Sequence, residues 1–205
     1  MGLWQMRVEL VIEDVKLRTV VPAQCLSRTR HPNKQRFSMA AFQREVLVRF
    51  GHCDAAGWVF YPRYFEMISD FVEDWFEDGL EASAPGLFHH KQLLTPSVHF
   101  TVDFPRPTKY GDRLTFKLWT TKVGRTSCEV RIEASFHGEV RMQVRQVLVF
   151  ITATSGRPTL IPPEVASRMR RFVLEPTELP PMRAPAKGKS ATRARAGNAK
   201  PDDDA

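Results

Sequence analysis

Cysteine is scarce in this chain: three in 205 residues, at Cys25, Cys53 and Cys128. An odd count at wide spacing implies no disulfide framework, so a reducing compartment is expected. Long apolar runs are lacking too. Val147–Ile151 is five apolar residues, far short of a membrane span. Glu9, Glu13, Asp14 and Lys16 break every apolar run near the start, so no signal h-region is present. The Met-Gly start lacks Ser or Thr at position 6, which argues against myristoylation. No Gly-x-Ser-x-Gly elbow occurs, which argues against an α/β-hydrolase. A cytoplasmic protein without a membrane span is the expectation.

What is present is ordinary for a folded domain: 42% hydrophobic residues, with 14 Phe and 4 Trp to build a core. The net charge of +7 at first suggests a polyanionic partner. Its distribution removes that reading. Residues 46–180 hold 16 basic and 16 acidic residues, so the excess belongs to the two ends. The basic tail carries no interleaved aromatics, and specific nucleic-acid readout is not expected.

Three segments follow from composition. Residues 1–40 read as an N-terminal extension, flexible or arising from a start codon assigned upstream of Met39; within it Trp4, Val8, Leu10 and Ile12 fit one short strand or helix. Residues 41–175 read as a single domain. Residues 176–205, rich in Pro, Ala, Lys, Arg and Gly, read as a disordered basic tail.

Within the domain, Val46–Phe50 alternates as a strand. Tyr64, Ile68, Phe71, Val72, Trp75 and Phe76 then recur at spacings of three and four, from a start marked by Pro62 to a stop at Gly79. That predicts an amphipathic helix of roughly 25 Å. Glu81–Lys91, with Pro85 and Gly86, reads as a loop. Four β-rich runs follow, Val98–Phe104, Arg113–Val123, Ser127–Phe136 and Val140–Thr152, joined by short turns that imply antiparallel hairpins. Pro162–Val173 reads as a short closing helix. The order predicts an α+β fold, one long helix packed on a five-stranded antiparallel sheet. One helix covers only part of such a sheet, so a homodimer or larger homo-oligomer is expected.

The densest chemical signal is Phe50-Gly-His-Cys-Asp-Ala-Ala-Gly-Trp-Val-Phe-Tyr-Pro-Arg-Tyr-Phe65. It puts the Asp54 carboxylate on a glycine-flanked loop seven residues before a helix start. Free N–H groups at a helix start, beside a carboxylate, are the two halves of an acyl-transfer site. Pro62 cannot donate, so Tyr61 or Arg63 must. The bland alternative is that Asp54 merely caps the helix or the turn. Other candidates are weaker. His52 and Asp54 lack third and fourth metal ligands at useful spacing. Cys53 has no specific His partner and reads as a structural thiol. His89 and His90 read as a surface or lid pair, and His99 as a sheet histidine. No cofactor is expected.

The segment Phe50–Tyr64 resembles the signature of the 4-hydroxybenzoyl-CoA thioesterase family, the hot-dog-fold acyl-CoA thioesterases: Phe-Gly-acidic-Cys-Asp-Pro-Ala-Gly-Ile-Val-aromatic-Tyr-Pro-x-Tyr. The resemblance continues in Thr95-Pro96, Tyr110-Gly-Asp-Arg-Leu-Thr115 and Gly124-Arg-Thr-Ser127, and covers roughly Arg44–Pro163. It implies the hot-dog fold, a dimer or tetramer with sites at the subunit interface, and hydrolysis of an acyl-CoA to free acid and CoA. It further implies that Asp54 is the catalytic nucleophile or general base and that Tyr61 supplies the N–H that polarises the thioester carbonyl. Arg125 matches the region that touches CoA phosphates. Trp58, Tyr64 and Ser69 fall at substrate-binding positions. Departures are His52 in place of an acidic residue, Ala55 in place of Pro, and Ser69 on the helix face that holds an acidic group for a ring hydroxyl in the hydroxybenzoyl enzyme. The aromatics around the loop imply an aromatic or short-to-medium acyl chain. A non-catalytic hot-dog module that binds acyl-CoA or dimerises is the alternative.

Overall fold

The computed structural model describes residues 6–11 and 41–174. The tail at 176–205, and the remainder of the extension at 1–40, lie outside the described residues. In chain order the elements are β1 (Met6–Val11), β2 (Phe42–Leu47), α1 (Tyr61–Asp74), α2 (Ala84–Lys91), β3 (Leu93–Leu94), β4 (Ser97–Phe104), β5 (Arg113–Val123), β6 (Ser127–Phe136), β7 (Glu139–Val149), β8 (Ile151–Thr152) and α3 (Pro163–Met169). The main sheet is antiparallel throughout and runs β1-β4-β7-β6-β5-β2, with β3 and β8 forming a separate pair.

The sheet has six strands rather than the expected five. The additional one is Met6–Val11, which lies within the segment read as an extension and pairs with β4 from Met6↔Phe104 to Val11↔His99. The other five make up the expected hot-dog set, with α1 laid across them, but the first lies at Phe42–Leu47 rather than Val46–Phe50: the chain leaves β5 after Leu47 and Phe50 opens a 3₁₀ turn. The alternation read in β5 and β6 holds: Leu114, Phe116 and Leu118, and Cys128, Val130, Ile132 and Ala134, are buried. Register then carries one apolar row across the sheet, Val102↔Val144, Val144↔Ile132, Ile132↔Leu118 and Leu118↔Phe42. Onto this face α1 lowers Tyr64, Met67, Ile68, Phe71 and Val72. Phe71 is wedged between the rings of Phe42 and Phe116, with centroids at 5.5 and 5.2 Å.

After Asp74 the helix continues as a π turn, Trp75–Gly79. A Cβ on Gly79 would lie 2.7 Å from Trp75 Cδ1 and 3.2 Å from Phe42 Cδ2, so glycine here permits the close packing of a fully buried tryptophan. The segment Glu81–Lys91, read as a loop, contains α2. Pro85 sits in its first turn, where a missing N–H is harmless, and this is why a residue taken as a breaker does not break the helix. The single strand expected over Val140–Thr152 ends at Val149. Phe150 N–H donates to Thr126 O at 2.8 Å, and Ile151–Thr152 turns away to pair with Leu93–Leu94. The closing helix is α3, whose end is held by Thr120 Oγ1 donating to Met169 O at 2.9 Å. Arg168 Nη1 donates to the carbonyls of Leu80 and Glu81 at 2.7 and 3.0 Å, fixing the chain just past α1.

Candidate active site

The loop before α1 is a stack of tight turns. Phe50–His52 is one turn of 3₁₀ helix, and His52 Nδ1 accepts the Arg49 N–H at 3.1 Å, so the imidazole serves as a local cap. The next turn is closed by Asp54 N donating to Trp58 O and Gly57 N donating to Asp54 O, both at 2.9 Å. Gly57 takes φ +76°, a conformation glycine adopts without strain. Asp54 Oδ1 accepts the Ala56 N–H at 2.9 Å and, more weakly, the Trp58 N–H at 3.4 Å. The carboxylate therefore caps its own turn. It does not cap α1, whose N-cap is Phe60, with no side-chain hydrogen bond and no acidic residue in the first turn. The Asp54 side chain is held by one oxygen, and Oδ2 accepts no hydrogen bond among the described residues.

Beyond the turn, Val59 N donates to Thr108 O and Phe60 N to His52 O, both at 2.9 Å. These bonds aim the chain into α1. Tyr61 is the first residue of that helix, and its N–H meets no acceptor among the described residues. Pro62 has no N–H to offer. The start of α1 thus keeps its positive end uncompensated beside the Asp54 turn.

Asp54, Trp58, Tyr61 and Tyr64 line one cavity of about 410 Å³. Sequence reasoning did not reach its opposite wall, Phe104, Arg106, Pro107 and Thr108, which comes from the end of β4 and the loop behind it. Only the neighbouring Tyr110-Gly-Asp turn carried a signal for that wall. The lining is mostly carbon. Tyr64 stacks against Phe104 with ring centroids 4.7 Å apart. Burial pushes the Tyr64 phenol up to about 12, with the Thr108 side chain pulling weakly the other way, so it stays neutral at working pH. Arg106 is paired with Glu139 at 2.9 Å. Phe60 and Tyr61, 47% and 49% exposed, stand at the mouth.

Ser69 and Arg125 are not among the residues lining this cavity; both are exposed, Ser69 on α1 and Arg125 in the β5–β6 turn, where its carbonyl accepts the Ile161 N–H at 2.9 Å. Cys53 leans its Sγ on Arg49 O at 3.8 Å. Burial, and then the charges of Asp54 and Asp112, push its thiol up, which suits a structural side chain and not a nucleophile. His99 Nε2 lies 3.2 Å from Thr101 Oγ1 within β4, as a satisfied sheet histidine would.

Known proteins carry the same plan. A 1,4-dihydroxy-2-naphthoyl-CoA hydrolase of Nostoc punctiforme is 33% identical over 128 residues, 61% of this chain and 84% of the relative. Among solved structures, a 1,4-dihydroxy-2-naphthoyl-CoA thioesterase from Synechocystis superposes with a TM-score of 0.59 at 21% identity, covering 64% of this chain and 96% of its own. A gentisyl-coenzyme A thioesterase does so with a TM-score of 0.57 at 22% identity, covering 62% and 99%. At such identities these superpositions speak for the fold. Residues 48–169, which hold the Asp54 turn, α1 and four strands of the main sheet, β4 to β7, match the thioesterase-like superfamily, and the chain belongs to that family.

Proposed function

We propose that this protein is an acyl-CoA thioesterase that hydrolyses an aromatic acyl-CoA to the free acid and CoA. The observation that carries the reading is the Asp54 carboxylate, fixed by its own turn, beside the uncapped start of α1 at an aromatic-walled cavity. The thioester carbonyl oxygen accepts the Tyr61 N–H, which stabilises the charge that develops there. Asp54 attacks the carbonyl carbon, or takes a proton from the water that does. In the first case CoA leaves as the thiolate, a mixed anhydride forms on Asp54, and a water cleaves it to release the acid and restore the carboxylate; in the second the water oxygen bonds the carbonyl carbon as the C–S bond breaks. In both, one water is consumed, its oxygen ends in a carboxylate and one of its protons ends on the CoA thiol. Trp58, Tyr64 and Phe104 receive the acyl group. The relatives named for a naphthoyl ester support an aromatic acyl group. Ser69 and Arg125, which lie off the cavity, then belong to the CoA-facing surface or to a site completed by a second copy.

A coupled thiol-release assay across aromatic and straight-chain acyl-CoAs tests this. We expect the highest kcat/KM for an aromatic ester. Thiol release from none of them would contradict the reading.

The half-exposed Phe60 and Tyr61 at the mouth support a homodimer or homotetramer in which a neighbouring copy completes the site. Sedimentation at micromolar protein should show a species of at least twice 23.5 kDa. A 23.5 kDa species alone would contradict it.

A further inference from the structure

One hydroxyl in the carbon-rich cavity wall, that of Thr108, has no partner in hydrogen-bond geometry, and the polar side chain beside it is the Tyr64 phenol. Thr108 lines the cavity and is only 1% exposed. Its Oγ1 is buried with no hydrogen-bond partner among the described residues. Its carbonyl is already taken by the Val59 N–H, so the backbone that carries this side chain is pinned to the segment leading into α1. Beside it is the Tyr64 phenol, 4% exposed and lining the same cavity. The two hydroxyls are close enough to influence each other, but Thr108 Oγ1 lacks the geometry of a formed hydrogen bond.

An orphaned buried hydroxyl destabilises a fold, because its bonds to water are lost and nothing replaces them. A core site of this shape is better served by Val. A hydroxyl retained beside a ligand cavity, next to a second one, is explained if a ligand atom supplies the missing partner. One χ1 step exchanges Oγ1 and the methyl, so Thr108 can turn its hydroxyl toward the cavity when an oxygen arrives. Both groups are neutral, each can donate or accept, and the matching ligand group is a neutral oxygen such as a phenol or ketone.

We propose that Thr108, with the Tyr64 hydroxyl beside it, selects the acyl group by hydrogen-bonding a neutral oxygen substituent on its ring. The site then discriminates against the bare ring, since that ester leaves the Thr108 hydroxyl unpaired in the complex. The inference rests on the thioesterase reading.

The test uses the full chain and two ester pairs: benzoyl-CoA with 4-hydroxybenzoyl-CoA, and 2-naphthoyl-CoA with 1,4-dihydroxy-2-naphthoyl-CoA. In at least one pair the wild type should favour the hydroxylated ester in kcat/KM by about tenfold or more. Thr108→Val should bring that ratio to within about threefold of unity, and Thr108→Ser, which keeps the hydroxyl, should retain it. Thr108→Val should not lower Tm, because it removes an unpaired polar atom; Thr108→Ala takes its place if Val is not accommodated. Equal rates on both members of both pairs in the wild type would overturn the inference. So would a ratio that survives loss of the hydroxyl, or an equal loss on both esters, the mark of a merely structural side chain. These outcomes leave the thioesterase reading standing. Hydrolysis of none of the four esters would remove that reading and the inference together.

Discussion

Asp54→Asn should lower kcat by at least about 10²-fold, because general-base roles contribute roughly 10²–10⁴-fold and nucleophilic roles can contribute more. The substitution is close to isosteric. The Asn carbonyl oxygen can still accept the Ala56 N–H that Oδ1 now accepts, so the turn keeps its geometry. The Tyr61 N–H and the cavity wall are untouched, and substrate should still bind. Charge and basicity alone are removed. If the carboxylate served only the turn, the change would cost about 1 kcal/mol or less and leave turnover near wild type, since Asn forms such turns well. Measuring kcat and Tm on the same protein separates the two: a large fall in kcat at near-constant Tm supports the catalytic role, and near-wild-type kcat contradicts it.

Phe71→Ala should damage the fold severely. Phe71 is 1% exposed and joins α1 to both β2 and β5 through Phe42 and Phe116. Truncating a buried Phe typically costs about 3–5 kcal/mol, from lost transfer energy and from the cavity left behind. Against a typical stability of about 5–15 kcal/mol this is a large fraction, and Tm should fall by roughly 10 °C. Phe50, 82% exposed, provides the contrast: Phe50→Ala should move stability by about 0.5 kcal/mol or less. Thermal or urea unfolding of both variants checks the pair, and a loss under about 1 kcal/mol at Phe71 would mean that α1 is not anchored as described.

Much of this architecture is legible in the sequence, for a physical reason. Helix α1 and strands β5 and β6 each bury one face, so their periods of 3.6 and 2 survive in the order of apolar residues. The elements missed are those in which local chemistry and tertiary context disagree. Pro85 and Gly86 mark a breaker locally, yet α2 begins there with Pro in its tolerant first turn. Val147–Ile151 is apolar without interruption, so nothing in the pattern marks the change of partner after Val149. For Met6–Val11 the apolar spacing fits a short strand or a short helix, and pairing with β4 makes it a strand.

The site divides in the same way. Asp54, Trp58, Tyr61 and Tyr64 are close in sequence and fall on one cavity. Arg106, Pro107 and Thr108 arrive from some fifty residues downstream, where the Val59–Thr108 and Tyr110–Gly57 hydrogen bonds and the Trp58–Lys109 bridge join the two segments, pairings that no local pattern encodes. Ser69 and Arg125 were placed by resemblance alone, and the folded chain leaves them off that cavity.

The most direct test of the account is product analysis by mass spectrometry after incubating the wild-type protein with 1,4-dihydroxy-2-naphthoyl-CoA in H₂¹⁸O. Hydrolysis at the Asp54 site predicts free CoA and free aromatic acid in equal amounts over many turnovers, with ¹⁸O in the carboxylate, and loss of both products in Asp54→Asn. Intact ester after prolonged incubation, or CoA released at the same rate by the Asp54→Asn protein, would contradict it.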